Sequence, residues 1–180
     1  MITTLPLRLC GTVPNRAAVS ALVRRAGDAV LVHRVFPRLL VVSCPCGCGE
    51  EFPINLDPRS GPAWRLFQRA DAGLSVFPSI WRESGCRSHF IIWRGKILLF
   101  GHEQEGELDA GSLADESKAL SIRVYAELIE ARFVRFSDLA DAVDAIPWDV
   151  LVACRRLVTQ GKALEGTGDQ QGRFARAPSH

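Results

Sequence analysis

The sequence lacks any long apolar run and any strong excess of charge. No stretch of its 180 residues approaches the roughly 18 consecutive apolar residues of a transmembrane helix, so a helical membrane protein is excluded. Its 22 Lys and Arg against 20 Asp and Glu give a net charge of +2, which offers no overall attraction to nucleic acid or anionic lipid. The sequence also contains no internal repeat and no low-complexity tract. With 47% hydrophobic and 23% charged residues, it predicts a folded globular protein.

The N-terminal segment MITTLPLRLCGTVPNR lacks the basic region and long apolar stretch of a signal peptide. We therefore expect a cytoplasmic protein in a reducing environment, where clustered cysteines are metal ligands or redox groups rather than disulfides. The chain has six cysteines, and three of them fall within five residues, at Cys44, Cys46 and Cys48.

The first hundred residues predict a β-rich domain, because short runs of Val, Ile, Leu and aromatic residues alternate with turn residues. The predicted strands are Asp28–His33, Leu39–Ser43, Glu51–Leu56, Ala63–Phe67, His89–Trp93 and Lys96–Phe100. Arg94 and Gly95 predict a tight hairpin turn between the last two strands. A short helix is expected over Ala17–Arg25.

The pattern becomes helical after the polar, acidic segment Glu103–Gly111, which is typical of a linker. The predicted elements are a helix over Ser117–Ala131, a strand over Arg132–Phe136, helices over Asp138–Val143 and Pro147–Gln160, and a hairpin of Lys162–Leu164 with Arg173–Ala175. Ser137 is the expected N-cap of the second helix, and Gly161 the residue that ends the third. This order resembles the winged helix-turn-helix.

The predicted fold class is therefore α+β, with a small β-rich domain followed by a winged-helix-like α/β domain. The first domain, at residues 1–104, carries the Cys and His residues that would bind zinc. The other predicted boundaries are a linker at 105–112, the winged-helix-like domain at 113–176 and a tail at 177–180.

A metal site is predicted from five candidate ligands that compete for the four places around a tetrahedral zinc ion. They are Cys44, Cys46, Cys48, Cys86 and His89. Glycines at 47 and 49 let the backbone bend so that neighbouring thiolates converge. Two other interpretations stay open, namely cysteines buried in an apolar core and a transient redox pair of Cys46 and Cys48.

The thiolate-rich set favours a structural zinc ion over a catalytic one, since thiolates blunt the Lewis acidity of the metal. Neither an HExxH motif nor a deaminase signature is found. If His89 is not a ligand, a hydrolase using Ser79 or Cys86 with His89 becomes the alternative. Ser88 is a poor partner for His89, because adjacent residues of a strand point to opposite faces.

Three blocks carry a family resemblance: CPCGCGE, PSIW at residues 78–81, and GCRSHFIIWRGKI at residues 85–97. With Trp64 between the first two, they resemble a bacterial domain family with recurring CPCGCG, PSI and GC-x-SHF blocks, over about residues 24–100. The resemblance implies a Cys/His metal protein encoded beside ubiquitin-like proteins and their activating enzymes.

The primary functional hypothesis is therefore a non-enzymatic zinc-binding adaptor that recruits a protein partner in a bacterial ubiquitin-like conjugation pathway. The partner would be the ubiquitin-like protein or its activating or conjugating enzyme. The first alternative is the hydrolase, as a processing or deconjugating peptidase of that pathway.

The second alternative is a DNA-binding regulator acting through Arg155, Arg156 and Arg173 on the winged-helix-like domain. The charge of that part argues against this alternative, because residues 113–180 carry nine Lys and Arg against ten Asp and Glu.

Overall fold

The computed structural model describes residues 2–70, 73–101 and 117–178. The chain is mixed α and β, rich in strands, and divides into an N-terminal and a C-terminal unit. The predicted linker at 105–112 lies outside the described residues, as do the first residues of the predicted second domain and the last two of the tail. Within the described residues, no helix is long and apolar enough to cross a membrane.

The described part of the N-terminal unit contains nine strands. They are β1 (Ile2–Pro6), β2 (Arg8–Val13), β3 (Asp28–His33), β4 (Pro37–Ser43), β5 (Glu51–Asn55), β6 (Arg65–Arg69), β7 (Gly73–Trp81), β8 (His89–Trp93) and β9 (Lys96–Phe100). Short 3-10 helices lie at Arg16–Ala18 and Pro58–Ser60.

These strands form two sheets. The first has the order β1-β9-β8-β7-β6 and is antiparallel throughout. The second has the order β2-β3-β4-β5, in which β2 and β3 are parallel and the other pairs antiparallel. The chain passes from β1 in the first sheet to β2 in the second through Leu7 alone.

One core joins the two sheets, because each presents an apolar face to it. The second sheet contributes residues such as Leu40, Val42 and Ile54, and the first contributes Phe90 and Ile92. All five are at most 1% exposed. Cys44 belongs to this core, so the cysteine segment begins at the edge of the packed interior.

The other face of the second sheet is covered by the connection between β2 and β3, where Val19 and Val23 pack on β3 and β4. The expected helix over Ala17–Arg25 is wrong, since only the 3-10 helix Arg16–Ala18 forms. Buried Asp28 accounts for the difference. Its carboxylate accepts the backbone N–H groups of Arg24 and Arg25 at 3.0 and 2.7 Å, so these groups need no helical partner.

Strand prediction succeeds best where the turn is encoded locally. Strands β3, β8 and β9 have the predicted bounds, and Arg94-Gly95 forms the turn between β8 and β9. Strand β6 is shifted to Arg65–Arg69, because its pairing with β7 sets its position. Strands β1, β2 and β7 were not predicted.

The C-terminal unit has the order helix, strand, helix, helix, strand, strand. Its elements are α1 (Ser117–Glu127), β10 (Val134–Arg135), α2 (Phe136–Ala142), α3 (Pro147–Thr159), β11 (Ala163–Glu165) and β12 (Arg173–Arg176). The three strands form an antiparallel sheet in the order β10-β12-β11. Helix α3 supplies more buried residues than any other described element of this unit, including Trp148.

Local signals in this unit have mixed outcomes. Pro147 opens α3 and Gly161 follows its end with a φ of 69°, as predicted. Ser137 is not the N-cap of α2; it lies inside the helix, and its hydroxyl donates to Asp138 Oδ1 at 3.3 Å. Helix α1 ends at Glu127, earlier than predicted, because the Ile129 carbonyl accepts the Arg176 N–H of β12 at 3.1 Å.

Candidate functional site

Four thiols converge at one end of the N-terminal unit. The Sγ atoms of Cys44, Cys46, Cys48 and Cys86 all lie within 4.8 Å of one another. Cys44 Sγ is 3.2 Å from Cys46 Sγ and 3.7 Å from Cys86 Sγ. A zinc ion with about 2.3 Å bonds to sulfur separates its thiolates by about 3.8 Å in a tetrahedron. The four cysteines could therefore hold a metal ion, and zinc fits their spacing and their chemistry.

The turn that follows β4 brings three of these thiols together. The Cys44 N–H donates to the Glu50 carbonyl at 2.8 Å, which closes the turn, and the Gly47 N–H donates to the Cys44 carbonyl at 3.1 Å. Gly47 and Gly49 have φ values of 84° and 82°. Only glycine adopts this left-handed conformation without strain, so the two glycines let the chain reverse between successive cysteines.

For each thiol, the backbone N–H of the residue two positions further on is one of the causes that lower its pKa. The donors to Cys44, Cys46, Cys48 and Cys86 are, in that order, Cys46, Cys48, Glu50 and Ser88. Such bonds stabilise the thiolate, which is the form that binds a metal. The same spacing of the N–H group recurs at all four cysteines, although the pKa is lowered overall only for Cys46 and Cys86.

Ser88 links the two cysteine segments. Its buried hydroxyl lies 3.3 Å from Cys44 Sγ and 3.2 Å from Cys86 Sγ. The hydrogen bond from this hydroxyl is the main cause that lowers the pKa of Cys86 to about 6, against the opposing effect of burial. Burial raises the pKa of Cys44 well above its usual range, although the Ser88 hydroxyl opposes this. Of these two thiols, Cys86 is therefore the more readily ionised.

A cationic side chain lies beside the cluster. The Arg82 guanidinium is held by Glu50 Oε2 at 3.2 Å and stacks over the Phe52 ring, 5.6 Å from its centroid. Burial tends to lower the pKa of Arg82, but the hydrogen bond and the charge of Glu50 raise it. The charges of Cys86 and Cys48 add to this rise, so that the pKa of Arg82 is raised overall. Four thiolates around a divalent ion carry a net charge of −2, so a nearby cation offsets part of that charge.

His89, the fifth predicted ligand, does not belong to the group of four thiols. Its imidazole packs against two aromatic rings instead. The Trp81 indole stacks on it with centroids 4.9 Å apart, and the Phe100 ring lies at the same distance on a tilted plane. Ser88 immediately precedes β8 and its hydroxyl reaches the sulfur cluster, whereas His89, the first residue of β8, contacts the two aromatic rings.

Ser79 lies in an irregular part of β7, close to His89 in the strand register. Ile80 pairs with Phe90 and Trp81 with His89, but the next pair is Val76 with Ile92. Three residues of β7 therefore face one of β8, which makes Phe77–Ser79 a bulge. Ser79 precedes by two positions Trp81, the residue of β7 that pairs with His89. Bulges are frequent beside active sites, where they redirect a side chain.

The three arginines expected to contact DNA lie on the C-terminal unit. The Arg155 guanidinium is 3.6 Å from the Glu165 carboxylate, and both residues line an open groove of about 540 Å³ between α3 and the β11–β12 hairpin. Arg156 borders a separate groove of about 490 Å³ between α1 and α3. Arg173 is half-buried on β12.

Comparison with known proteins relates part of the chain to a protein family. Residues 18–100 are similar to a protein family described as "Bacterial ubiquitination-like system serine protease (BubE)". The matched segment is a little under half of the chain and contains Ser79, His89 and all four cysteines of the cluster. It supports the expected link to a bacterial ubiquitination-like system. No curated protein and no solved structure matches the chain.

Sequence reasoning missed two features of the site. Ser88 was expected only to be a poor partner for His89, although in an extended segment Cys86 and Ser88, two positions apart, face the same way. That spacing is the signal that could have assigned the Ser88 hydroxyl to the sulfur atoms. The stacking of Trp81 on His89 had no signal in the sequence, because it depends on the register of β7 against β8.

Proposed function

We propose that the N-terminal unit is a serine hydrolase, a processing or deconjugating peptidase of a bacterial ubiquitination-like system. The observation that supports the proposal is the strand register, in which Ser79 belongs to a bulge of β7 two residues before Trp81, the residue paired with His89 of β8. The similarity of residues 18–100 to a family described as a serine protease of such a system supports it.

In this proposal Ser79 is the nucleophile and His89 the general base. His89 takes the proton from Ser79 Oγ as the oxygen attacks the scissile carbonyl, and then donates it to the departing amine as the C–N bond breaks. Water, deprotonated by His89, hydrolyses the resulting ester and regenerates the Ser79 hydroxyl. Packing between Trp81 and Phe100 restricts the imidazole to a narrow range of orientations.

Cys86 is the weaker candidate for the nucleophile. Its sulfur atom lies within the cluster of four thiols and accepts two hydrogen bonds from Ser88. A thiolate engaged by a metal ion is not available for attack on a carbonyl. The cysteine form of the hydrolase hypothesis is therefore set aside in favour of Ser79.

We assign the four cysteines to a structural zinc ion. Four protein sulfur atoms complete a tetrahedron and leave no position for water, which is the composition of a structural site. Zinc bound there would join the Cys44–Glu50 turn to the segment that leads into β8, and so would stabilise the strand that carries His89. All six cysteines of the chain are free, as expected in the cytoplasm, where we place the protein.

A fluorophosphonate probe tests the nucleophile, because it reacts with activated serines by losing fluoride as the Ser Oγ–P bond forms. We expect labelling of the full chain at Ser79, located by peptide mass spectrometry. Ser79→Ala should abolish labelling and His89→Gln should reduce it about a hundredfold or more. Ser84→Ala changes an exposed serine in the same segment and serves as the matched control.

Labelling that is absent in the wild type, or that persists in Ser79→Ala, would contradict the hydrolase. The zinc-binding adaptor, which recruits the ubiquitin-like protein or its enzymes without chemistry, would then be the better account. Zinc content and thermal unfolding of each variant confirm that the site, and not the fold, has changed.

For the C-terminal unit we propose a winged-helix domain that contacts a protein partner. The order of its helices and strands, with a three-stranded sheet in the order β10-β12-β11, supports the topology. Two features disfavour DNA as the partner: the ion pair of Arg155 with Glu165, and the excess of acidic residues over residues 113–180. Trp148 is only 6% exposed, so its indole is not available as an anchor for a protein partner. The partner must contact other residues on the surface of this unit.

Fluorescence anisotropy with duplex DNA separates the two uses of this unit. We expect binding no tighter than the nonspecific range of about 10⁻⁴–10⁻⁶ M at physiological salt. It should be unchanged in the Arg155→Ala/Arg156→Ala variant. A tighter, salt-dependent affinity that this variant loses would favour the DNA-binding regulator instead.

A further inference from the structure

We propose that the end of β7 binds the substrate as an added β-strand, through backbone hydrogen bonds at Trp81. The inference rests on the proposed hydrolase and deepens it. It assigns the substrate class as an extended, unfolded peptide segment, as opposed to a folded surface.

The edge of β7 is open at Trp81, two residues beyond the proposed nucleophile. Strand β6 pairs with β7 only as far as Phe77, which is opposite Arg65, the first residue of β6. Before β6 the chain turns away, because the Trp64 N–H donates to the Asn55 carbonyl of β5 at 2.8 Å. Among the described residues, no strand pairs with Pro78–Trp81 on that side.

The backbone of Trp81 faces this open edge. The Arg82 N–H donates to the Ser88 carbonyl at 3.0 Å, so the backbone groups of Arg82 point towards β8. Successive residues of a strand direct these groups to alternate sides. Trp81 and Ser79 therefore direct theirs away from β8.

A second contact agrees with this alternation. The Ser79 carbonyl accepts the Trp64 indole N–H at 3.3 Å, on the side of β6. The N–H and C=O of Trp81 remain for a partner at the same edge. An unpaired strand edge is the template on which extended peptides add in β-strand addition.

Solvent exposure makes the edge accessible. Pro78 is exposed, and the Trp81 side chain is 65% exposed although it stacks on His89. A peptide paired with Trp81 would lie two residues along β7 from Ser79 and next to the Trp64 indole, which brings its scissile carbonyl within reach of the nucleophile. The exposed indole would form the floor of a subsite for an apolar side chain.

Tetrapeptide aldehydes provide the test, since the Ser79 hydroxyl adds across an aldehyde C=O to give a hemiacetal. The best of a panel of acetyl-tetrapeptide aldehydes is chosen by its competition with fluorophosphonate labelling of the full chain. It is then compared with three versions that carry a single backbone N-methyl group on the second, third or fourth residue from the aldehyde. N-methylation removes one donor and blocks pairing at that residue.

Strand addition predicts an alternating result. Methylation of a residue that pairs with Trp81 should weaken competition by about 3- to 10-fold or more, which is the loss in affinity expected when one hydrogen bond is removed. Methylation of the neighbouring residues should change the competition little. Equal effects at all positions, no effect, or no competition by any peptide overturn the inference while Ser79 labelling still supports the hydrolase. Absence of Ser79 labelling would overturn the hydrolase and, with it, the inference.

Discussion

The indole of Trp81 lies almost parallel to the imidazole of His89, with ring centroids 4.9 Å apart and planes 20° from parallel. The contact crosses from β7 to β8 at a directly paired position of the two strands. It holds the proposed general base from the solvent side, while Phe100 holds it from β9. We therefore propose that exposed Trp81 orients this imidazole.

Replacement of Trp81 tests this role. We expect Trp81→Ala to slow fluorophosphonate labelling of Ser79 about 2- to 10-fold, since an aromatic pair contributes about 0.5–1.5 kcal/mol. Trp81→Phe should keep most of the rate because it retains a stacking ring. Val35→Ala is the control, as Val35 is also an exposed apolar residue. An unchanged rate in Trp81→Ala would show that the stack does not position His89.

The four-thiol cluster predicts one metal ion per protein molecule. Cys46→Ser should reduce the zinc content from one equivalent to well below one, measured by elemental analysis of the purified protein. It should also lower the unfolding temperature, because metal binding contributes to folding free energy. Cys10→Ser is the matched control, since Cys10 is an exposed cysteine outside the cluster. If both variants retain a full equivalent of zinc, the cluster is not its site.

The hydroxyl of Ser88 should tune metal affinity without being a ligand. Ser88→Ala removes its contacts to Cys44 and Cys86 but keeps the backbone N–H that donates to Cys86. We expect zinc affinity to fall about tenfold in a chelator competition, as for other residues that support metal ligands. Ser75→Ala removes a different buried hydroxyl of the same unit, one that accepts the Arg94 N–H, and should leave the affinity unchanged. Equal losses in the two variants would point to general destabilisation.

Asp28 should make the stability of the N-terminal unit depend on pH in the acid range. Burial alone would raise the pKa of this carboxyl, but the N–H groups of Arg25 and Arg24 and the Arg8 guanidinium lower it to about 2. Because the folded pKa lies below the unfolded value of 3.8, the stabilisation is complete above about pH 4. It is lost as pH falls towards 2.

Asp28→Asn should therefore lower the free energy of unfolding by about 2 kcal/mol at pH 7, and by progressively less between pH 4 and 2. Urea unfolding of the wild type and of Asp28→Asn at each pH measures the difference in the free energy of unfolding. Protonation of the cysteine thiolates affects both proteins alike, so it cancels in this difference. Asp138→Asn, at an exposed position of α2, is the control. A difference that is the same at pH 7 and pH 2.5 would show that the carboxylate charge is not responsible.

The sequence was most informative where a signal is local. The hairpin of β8 and β9 follows from two β-rich runs around Arg94-Gly95, and α3 from its opening Pro147 and closing Gly161. The cysteine segment belongs to the same class, because glycines between closely spaced thiols can be recognised without any other part of the chain.

The sequence was least informative where a position depends on pairing with distant residues. The early strands β1 and β2 join different sheets, and β6 takes its register from β7. None of these three strands can be placed from local periodicity. The same reason explains the premature end of α1, where residues after Glu127 pair with β12 instead of continuing the helix.

For the candidate site, the sequence alone determined which residue types were available: thiols at metal-ligand spacing, a serine after Pro78 and a histidine in a strand. Only the tertiary structure decided how they are divided. Ser88, the residue before β8, contacts the sulfur cluster, whereas His89 at the start of β8 contacts Trp81 and Phe100. The register of β7 against β8 leaves Ser79 in a bulge two residues before Trp81. This division depends on strand register, which is fixed by the packing of both sheets around one core and not by any short segment of the sequence.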